Sequence, residues 1–166
     1  FPYDGQAHGA TVTVSTLPKG YTLVTATSDD TATHVLDGTV TANCDTLVIR
    51  NGAGQDVTSK LNIRYVDGSI TITPATLTVI TPSASKVYDG DPLTAEGSIT
   101  GFVNGETATF ATTGVQITEG SSDNTYSINW NGSAVKSDYT VSATVGTLTV
   151  TPYTGEIVVT TTGGTF

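Results

Sequence analysis

Apolar and polar residues alternate along most of this chain. Residues 11–14, 47–50, 61–66, 69–73, 76–79, 125–130, 139–141 and 147–150 each read apolar–polar with a period of two. That period puts the apolar set on one face and a Thr-rich set on the other, the pattern of a half-buried antiparallel strand. Threonine suits the outer face because its β-branched side chain is stiff and fits a pleated surface without adding charge. Between these runs stand Asn51-Gly52, Asp67-Gly68, Asn104-Gly105 and Asn131-Gly132, dipeptides that favour tight turns. No stretch keeps apolar residues at helical spacing for long; the nearest, residues 92–99, offers one turn before Gly97. The pattern predicts an all-β, mostly antiparallel protein.

The pattern also repeats. Tyr3-Asp4-Gly5 returns as Tyr88-Asp89-Gly90, 85 positions later. The stretch Tyr65-Val66-Asp67-Gly68-Ser69-Ile70-Thr71-Ile72-Thr73-Pro74 returns as Ala143-Thr144-Val145-Gly146-Thr147-Leu148-Thr149-Val150-Thr151-Pro152. Each module opens on Tyr-Asp-Gly and leaves through an alternating strand that ends at a proline, where a ladder hydrogen bond is lost. Repetition on this scale indicates a tandem array. The expected division is residues 1–74 as a first module, 75–152 as a second and 153–166 as the opening strand of a following one. Residues 75–86 occupy in the second module the place that the tail holds after Pro152, whereas the first module begins at Phe1 without such a strand. The expectation is that the tail, with Ile157 and Val159 on one face and Phe166 at its end, is an assembly strand donated to the first module of another copy, head to tail.

Composition narrows the function. Threonine fills about a fifth of the 166 positions, charged residues only 13%, and the net charge is −9. Six basic residues against fifteen acidic ones argue against a phosphate-reading surface, so no nucleic-acid partner is expected. The uncharged stretches are Thr-rich and alternating, which argues against insertion in a membrane. The absence of methionine leads to the expectation of a processed or excised piece. Cys44 is the single cysteine, so the chain has neither an internal disulfide framework nor a cysteine zinc site.

No candidate chemistry stands out. The turn acids Asp29, Asp30, Asp89, Asp91 and Glu96 lack the spacing of a calcium loop, and His8 and His34 lack partners at ligand spacing. Serine-hydrolase and zinc-hydrolase motifs are missing. Catalytic residues, cofactors and metal ligands are therefore all expected to be none. In Tyr-Asp-Gly, Tyr is expected to cover one end of the core, Asp to bond the local backbone and Gly to adopt positive φ. Tyr126, Ile128 and Trp130 share one strand face, read as core rather than as a sugar-stacking platform.

Tyr88-Asp89-Gly90, Gly101-Phe102-Val103-Asn104-Gly105-Glu106, Ser137-Asp138-Tyr139-Thr140-Val141 and Gly146-Thr147-Leu148-Thr149-Val150-Thr151-Pro152 resemble the YDG/MBG-type tandem repeat modules of bacterial surface, adhesin-like proteins. The resemblance covers residues 75–152 and, in the first module, its two ends; residues 21–45 depart from it. It implies small β-sandwich or β-grasp-like modules without catalytic residues, on an extracellular protein of the bacterial cell surface. Two functions follow. The first is a non-catalytic stalk or fibre spacer whose partners are neighbouring modules or further copies of itself. The alternative is an adhesin module that binds a glycan or host protein through loops of residues 21–45.

Overall fold

The structure is a computed structural model that describes residues 1–165. It is built from β-strands joined by turns and three short 3-10 turns. The described residues form two compact units that interleave in sequence. The first comprises Phe1–Leu77, Gly101–Ala108 and Trp130–Val141; the second comprises Thr78–Thr100, Thr109–Asn129 and the described residues from Ser142 onward. Two loops of the second sequence repeat thus pack with the first repeat.

In the first unit, β1 (His8–Gly9) pairs antiparallel with β3 (Thr31–Ala32). β2 (Tyr21–Thr27) pairs with β5 (Thr46–Asn51), with an irregularity between Leu23 and Thr25. β4 (Thr39–Ala42) pairs with β6 (Gly68–Thr71). The core includes Tyr3, Ala32, Ile49, Val57, Ile70, Ile72 and Leu77.

Strands β7 (Ala75–Ile80), β9 (Ser98–Thr100) and β13 (Tyr139–Thr144) form a sheet in the order β13-β7-β9. In the second unit, β14 (Thr147–Thr151) lies between β11 (Gly120–Asp123), which is antiparallel to it, and β8 (Ala84–Val87), which is parallel. β10 (Thr109–Thr112) pairs antiparallel with β12 (Tyr126–Asn129). Leu148, Val150 and Val79 are fully or almost fully buried while their Thr neighbours face outward or lie at the margin, as the alternation requires. Asn124 is the polar exception. Its Nδ2 donates to the carbonyls of Pro82 and Ala95, both at 2.9 Å, and ties two connections to the core.

Two sequence expectations are corrected. Residues 11–14 and 61–66 alternate as strands should, yet neither segment enters a sheet. Their alternation survives only in burial: Val12, Val14, Leu61 and Ile63 are half-buried, and the residues between them are exposed. A strand needs a partner edge as well as a pattern, and none lies beside them. Residues 92–99, the nearest approach to helical spacing, form no helix, in keeping with the all-β pattern, and Leu93 is bridged to Gln116.

The register makes the two repeats comparable atom for atom at one point. The N–H of Tyr3 donates to the carbonyl of Thr73 and the N–H of Tyr88 to that of Thr151, both at 2.8 Å. Pro2 lies parallel to Thr73, as Val87 lies parallel to Thr151.

Candidate functional site

The most elaborate side-chain cluster lies in the first unit and is assembled from three motifs. Residues 101–106 build one wall. Gly101 has φ 111°, and a Cβ there would come within 2.4 Å of the Thr76 carbonyl, so only glycine allows this close approach. Asn104 and Gly105 both have positive φ, and the N–H of Glu106 donates to the carbonyl of Val103 at 3.0 Å. This is the primed turn that an Asn-Gly pair favours, and it aims Glu106 inward.

Glu106 bridges two phenols. Tyr3 Oη donates to its Oε1 at 2.5 Å and Tyr139 Oη to its Oε2 at 2.6 Å. The Tyr139 oxygen also accepts from the N–H of Val103 at 3.2 Å. Burial, followed by the hydrogen bond to Glu106, raises both phenols: Tyr139 is pushed up to about 12, and Tyr3 also rises well above its ordinary value. The two rings meet edge to face at 5.5 Å, and Phe102 and Trp130 pack on Tyr139 at 5.5 and 6.2 Å.

A second carboxylate closes the other side. Asp138, fully buried at the end of the 3-10 turn Lys136–Asp138, accepts from the Val35 N–H at 2.8 Å and lies 2.7 Å from His34 Nδ1. Asp37 accepts from the N–H groups of Thr33 and His34 at 2.8 Å each, which fixes the backbone carrying the imidazole. The His34 ring in turn packs against Tyr3. The hydrogen bond to Asp138 raises the histidine, against the opposing effect of burial.

Tyr3 itself is anchored by its motif. Asp4 Oδ1 accepts from the Gln6 N–H and contacts His8 Nε2, each at 2.9 Å. Gly5 has φ 77°, and a Cβ there would meet Asn104 at 2.5 Å. Gln6 Nε2 donates to Asn104 Oδ1 at 3.2 Å. The cluster therefore clasps the opening of the first repeat between the 101–106 and 137–139 motifs of the second. Its phenols titrate well above neutral pH, so both stay protonated and donate to Glu106.

The sequence reading foresaw the roles of Asp and Gly in Tyr-Asp-Gly and missed the reach of Tyr. Asp89 repeats the local turn, accepting from the Asp91 N–H at 3.0 Å and pairing with Lys86 at 2.7 Å, and Gly90 has φ 84°. Yet Tyr3 is 3% exposed and Tyr88 44%, so only the first tyrosine is clasped. Glu106, His34 and Asp138 were not recognised as partners; the signal was that Glu106 and Asp138 stand inside the repeat motifs rather than in variable loops. Trp130 is half-buried against Tyr139 and Phe102, whereas Tyr126 of the same strand face stacks on Phe110. Cys44 is half-buried and free. Ile157 and Val159 are 78% and 86% exposed, and no strand is formed by residues 153–165. Phe166, the remaining expected member of the assembly strand, lies outside the described residues. Among the described residues no group of three or more His, Cys, Asp or Glu side chains converges as a metal site, and no helix is long and apolar enough to cross a membrane.

Residues 77–149 match the family model of the MBG domain, YGX type. The match lies within the second repeat and supports its likeness to MBG-type modules. MBG domains are modules associated with extracellular surface proteins and are generally structural rather than enzymatic. The MBG match covers the 101–106 and 137–139 motifs, and the clasped tyrosine comes from the repeat before it. No curated protein and no solved structure gives a significant match.

Proposed function

We propose that the chain is a spacer segment of a bacterial cell-surface protein, in which successive modules are locked into a semi-rigid stalk. The observation that supports this reading is the Tyr3 clasp. A buried tyrosine from one repeat bonded to a carboxylate of the next resists bending, because freeing it exposes two aromatic rings and strands two phenols in a partly desolvated site. The Thr-rich, weakly charged exterior suits a stalk that contacts little else.

The test is small-angle scattering and limited proteolysis of the wild type and Glu106→Ala. The spacer reading expects the variant to sample a broader distribution of dimensions and to be cut faster near Pro74, with both repeats still folded. An unchanged distribution would refute the locked joint. The adhesin alternative would be favoured by a glycan or host protein that binds the wild type and is lost when residues 21–45 are replaced.

A further inference from the structure

The two repeats build the scaffold of the clasp twice and fill it with opposite chemistry. Counting forward from Tyr3 as from Tyr88, residues 18–21 of the first repeat stand where 103–106 stand in the second. Both are turns closed in the same way. The Tyr21 N–H donates to the Pro18 carbonyl at 3.2 Å and the Glu106 N–H to that of Val103 at 3.0 Å, and Gly20 and Gly105 have φ 94° and 67°. Counting back from Thr73 as from Thr151, the 3-10 turn Thr58–Lys60 stands where Lys136–Asp138 stands. Each ends on the same bond, from the N–H of Leu61 to the Thr58 carbonyl and from the N–H of Tyr139 to that of Lys136. Lys19, Tyr21, Lys60 and Leu61 are thus the counterparts of Asn104, Glu106, Asp138 and Tyr139.

The clasp also has a direction. Tyr3 Oη, Gln6 Nε2 and the Val35 N–H all donate from the first repeat, to Glu106, Asn104 and Asp138 of the second. His34 Nδ1 meets the other oxygen of Asp138 and donates as well, since an ionised carboxylate only accepts. On the first repeat, lysines hold the places of Asn104 and Asp138, and an ammonium only donates. Tyr21 offers one hydroxyl oxygen where Glu106 offers two carboxylate oxygens, and Leu61 brings no polar atom. An opening made of donors would meet donors there, and groups such as the Val35 N–H would be buried unpaired.

We propose that this polarity is a recognition code that sets the order of the two repeats. The face made by Asn104, Glu106 and Asp138 selects, in the repeat before it, a Tyr-Asp-Gly opening that supplies donors. The same face of the first repeat, carrying Lys19, Tyr21 and Lys60, is closed to such an opening. The repeats therefore share a scaffold and are not interchangeable. This deepens the spacer reading and rests on it for its purpose, but the contact is tested apart from the stiffness of the joint.

The experiment transplants the chemistry of the first repeat onto the second in the full chain, as Glu106→Tyr with Asp138→Lys. Nitration by tetranitromethane, mapped by mass spectrometry, reads whether Tyr3 is held, with the exposed Tyr88 of the same chain as reference. The wild type should be nitrated at Tyr88 and resist at Tyr3, and the transplant should raise nitration of Tyr3 by about fivefold or more. Glu106→Gln with Asp138→Asn keeps an acceptor oxygen at both places and should stay within about twofold of the wild type. Glu106→Lys alone, at a half-buried position, carries the test if the double transplant does not fold; protection of the β14 amides from hydrogen exchange marks a folded second repeat. A Tyr3 that stays protected in the folded transplant or in Glu106→Lys, or that is released equally by the isosteric pair, would overturn the code. Release of Tyr3 with unchanged scattering dimensions would uphold the code and refute the stiff stalk instead.

Discussion

Glu106 carries more structure than its single charge suggests, because two buried tyrosines share it. Glu106→Ala leaves both hydroxyls without their acceptor, and each unsatisfied buried group costs about 1–3 kcal/mol. We expect a loss of about 2–4 kcal/mol in urea unfolding, and a smaller loss of about 1 kcal/mol for Tyr3→Phe, which keeps the ring contacts. Equal losses in the two variants would show that the ring packing, not the carboxylate, holds the clasp. His34 makes the same cluster sensitive to pH. Its bond to Asp138 raises it above its ordinary 6.5 in the folded protein, with Asp37 and Glu106 adding to the effect. The folded state thus binds this proton more tightly than the unfolded chain. The stabilisation is complete below the ordinary value and is lost as pH rises through the raised one. The midpoint of thermal unfolding should therefore be higher at about pH 5.5 than at about pH 8.5, and His34→Gln should remove most of the difference. The window stays above the acid range, where Asp37, held low by the Thr33 and His34 N–H groups, loses its own contribution. A difference that persists in His34→Gln would assign it to another group.

At the scale of the element, pairing rather than pattern decides what becomes a strand. Residues 61–66 alternate as cleanly as 147–150, but β14 has β8 and β11 beside it and residues 61–66 have no ladder. The connections between strands depend on a few buried polar groups. Asn124 is fully buried and holds the Pro82 and Ala95 carbonyls, while its own N–H donates to Gly146 at 2.8 Å. Asn124→Ala removes both side-chain bonds and strands two acceptors, so it should cost about 2–4 kcal/mol. Ser127→Ala, on the exposed face of β12, should change stability by less than about 0.5 kcal/mol. Chemical denaturation of the two variants side by side checks the contrast. A comparable effect of both would mean that Asn124 is replaceable by local relaxation.

For the molecule as a whole, charge is sparse, mostly of one sign and scarcely organised. The ion pairs among the described residues are His8–Asp4, His34–Asp138 and Lys86–Asp89, and two of these depend on a protonated histidine. The net charge of −9 keeps copies apart without binding the fold together. The thermal midpoint at neutral pH should therefore move by no more than about 3 °C between 0.15 and 1 M sodium chloride, because few attractive pairs exist to be screened. A midpoint that falls steeply with salt would reveal a charge network that these three pairs do not account for.

The period of two determined the all-β class, the faces of β6, β7, β12 and β14, and the repeated module, because side-chain alternation is a local property of an extended backbone. The Asn104-Gly105 turn was legible for the same reason: positive φ is a demand met within two residues. Which alternating segments pair was not legible, since residues 11–14 and 61–66 differ from true strands only in having no neighbour. Nor was the clasp legible. Tyr3 and Tyr88 stand in identical tripeptides, and only the tertiary structure, by bringing residues 101–108 and 130–141 against the first repeat, decided that one is buried and the other open. A carboxylate 103 positions away in the chain leaves no mark on the sequence around the phenol it binds.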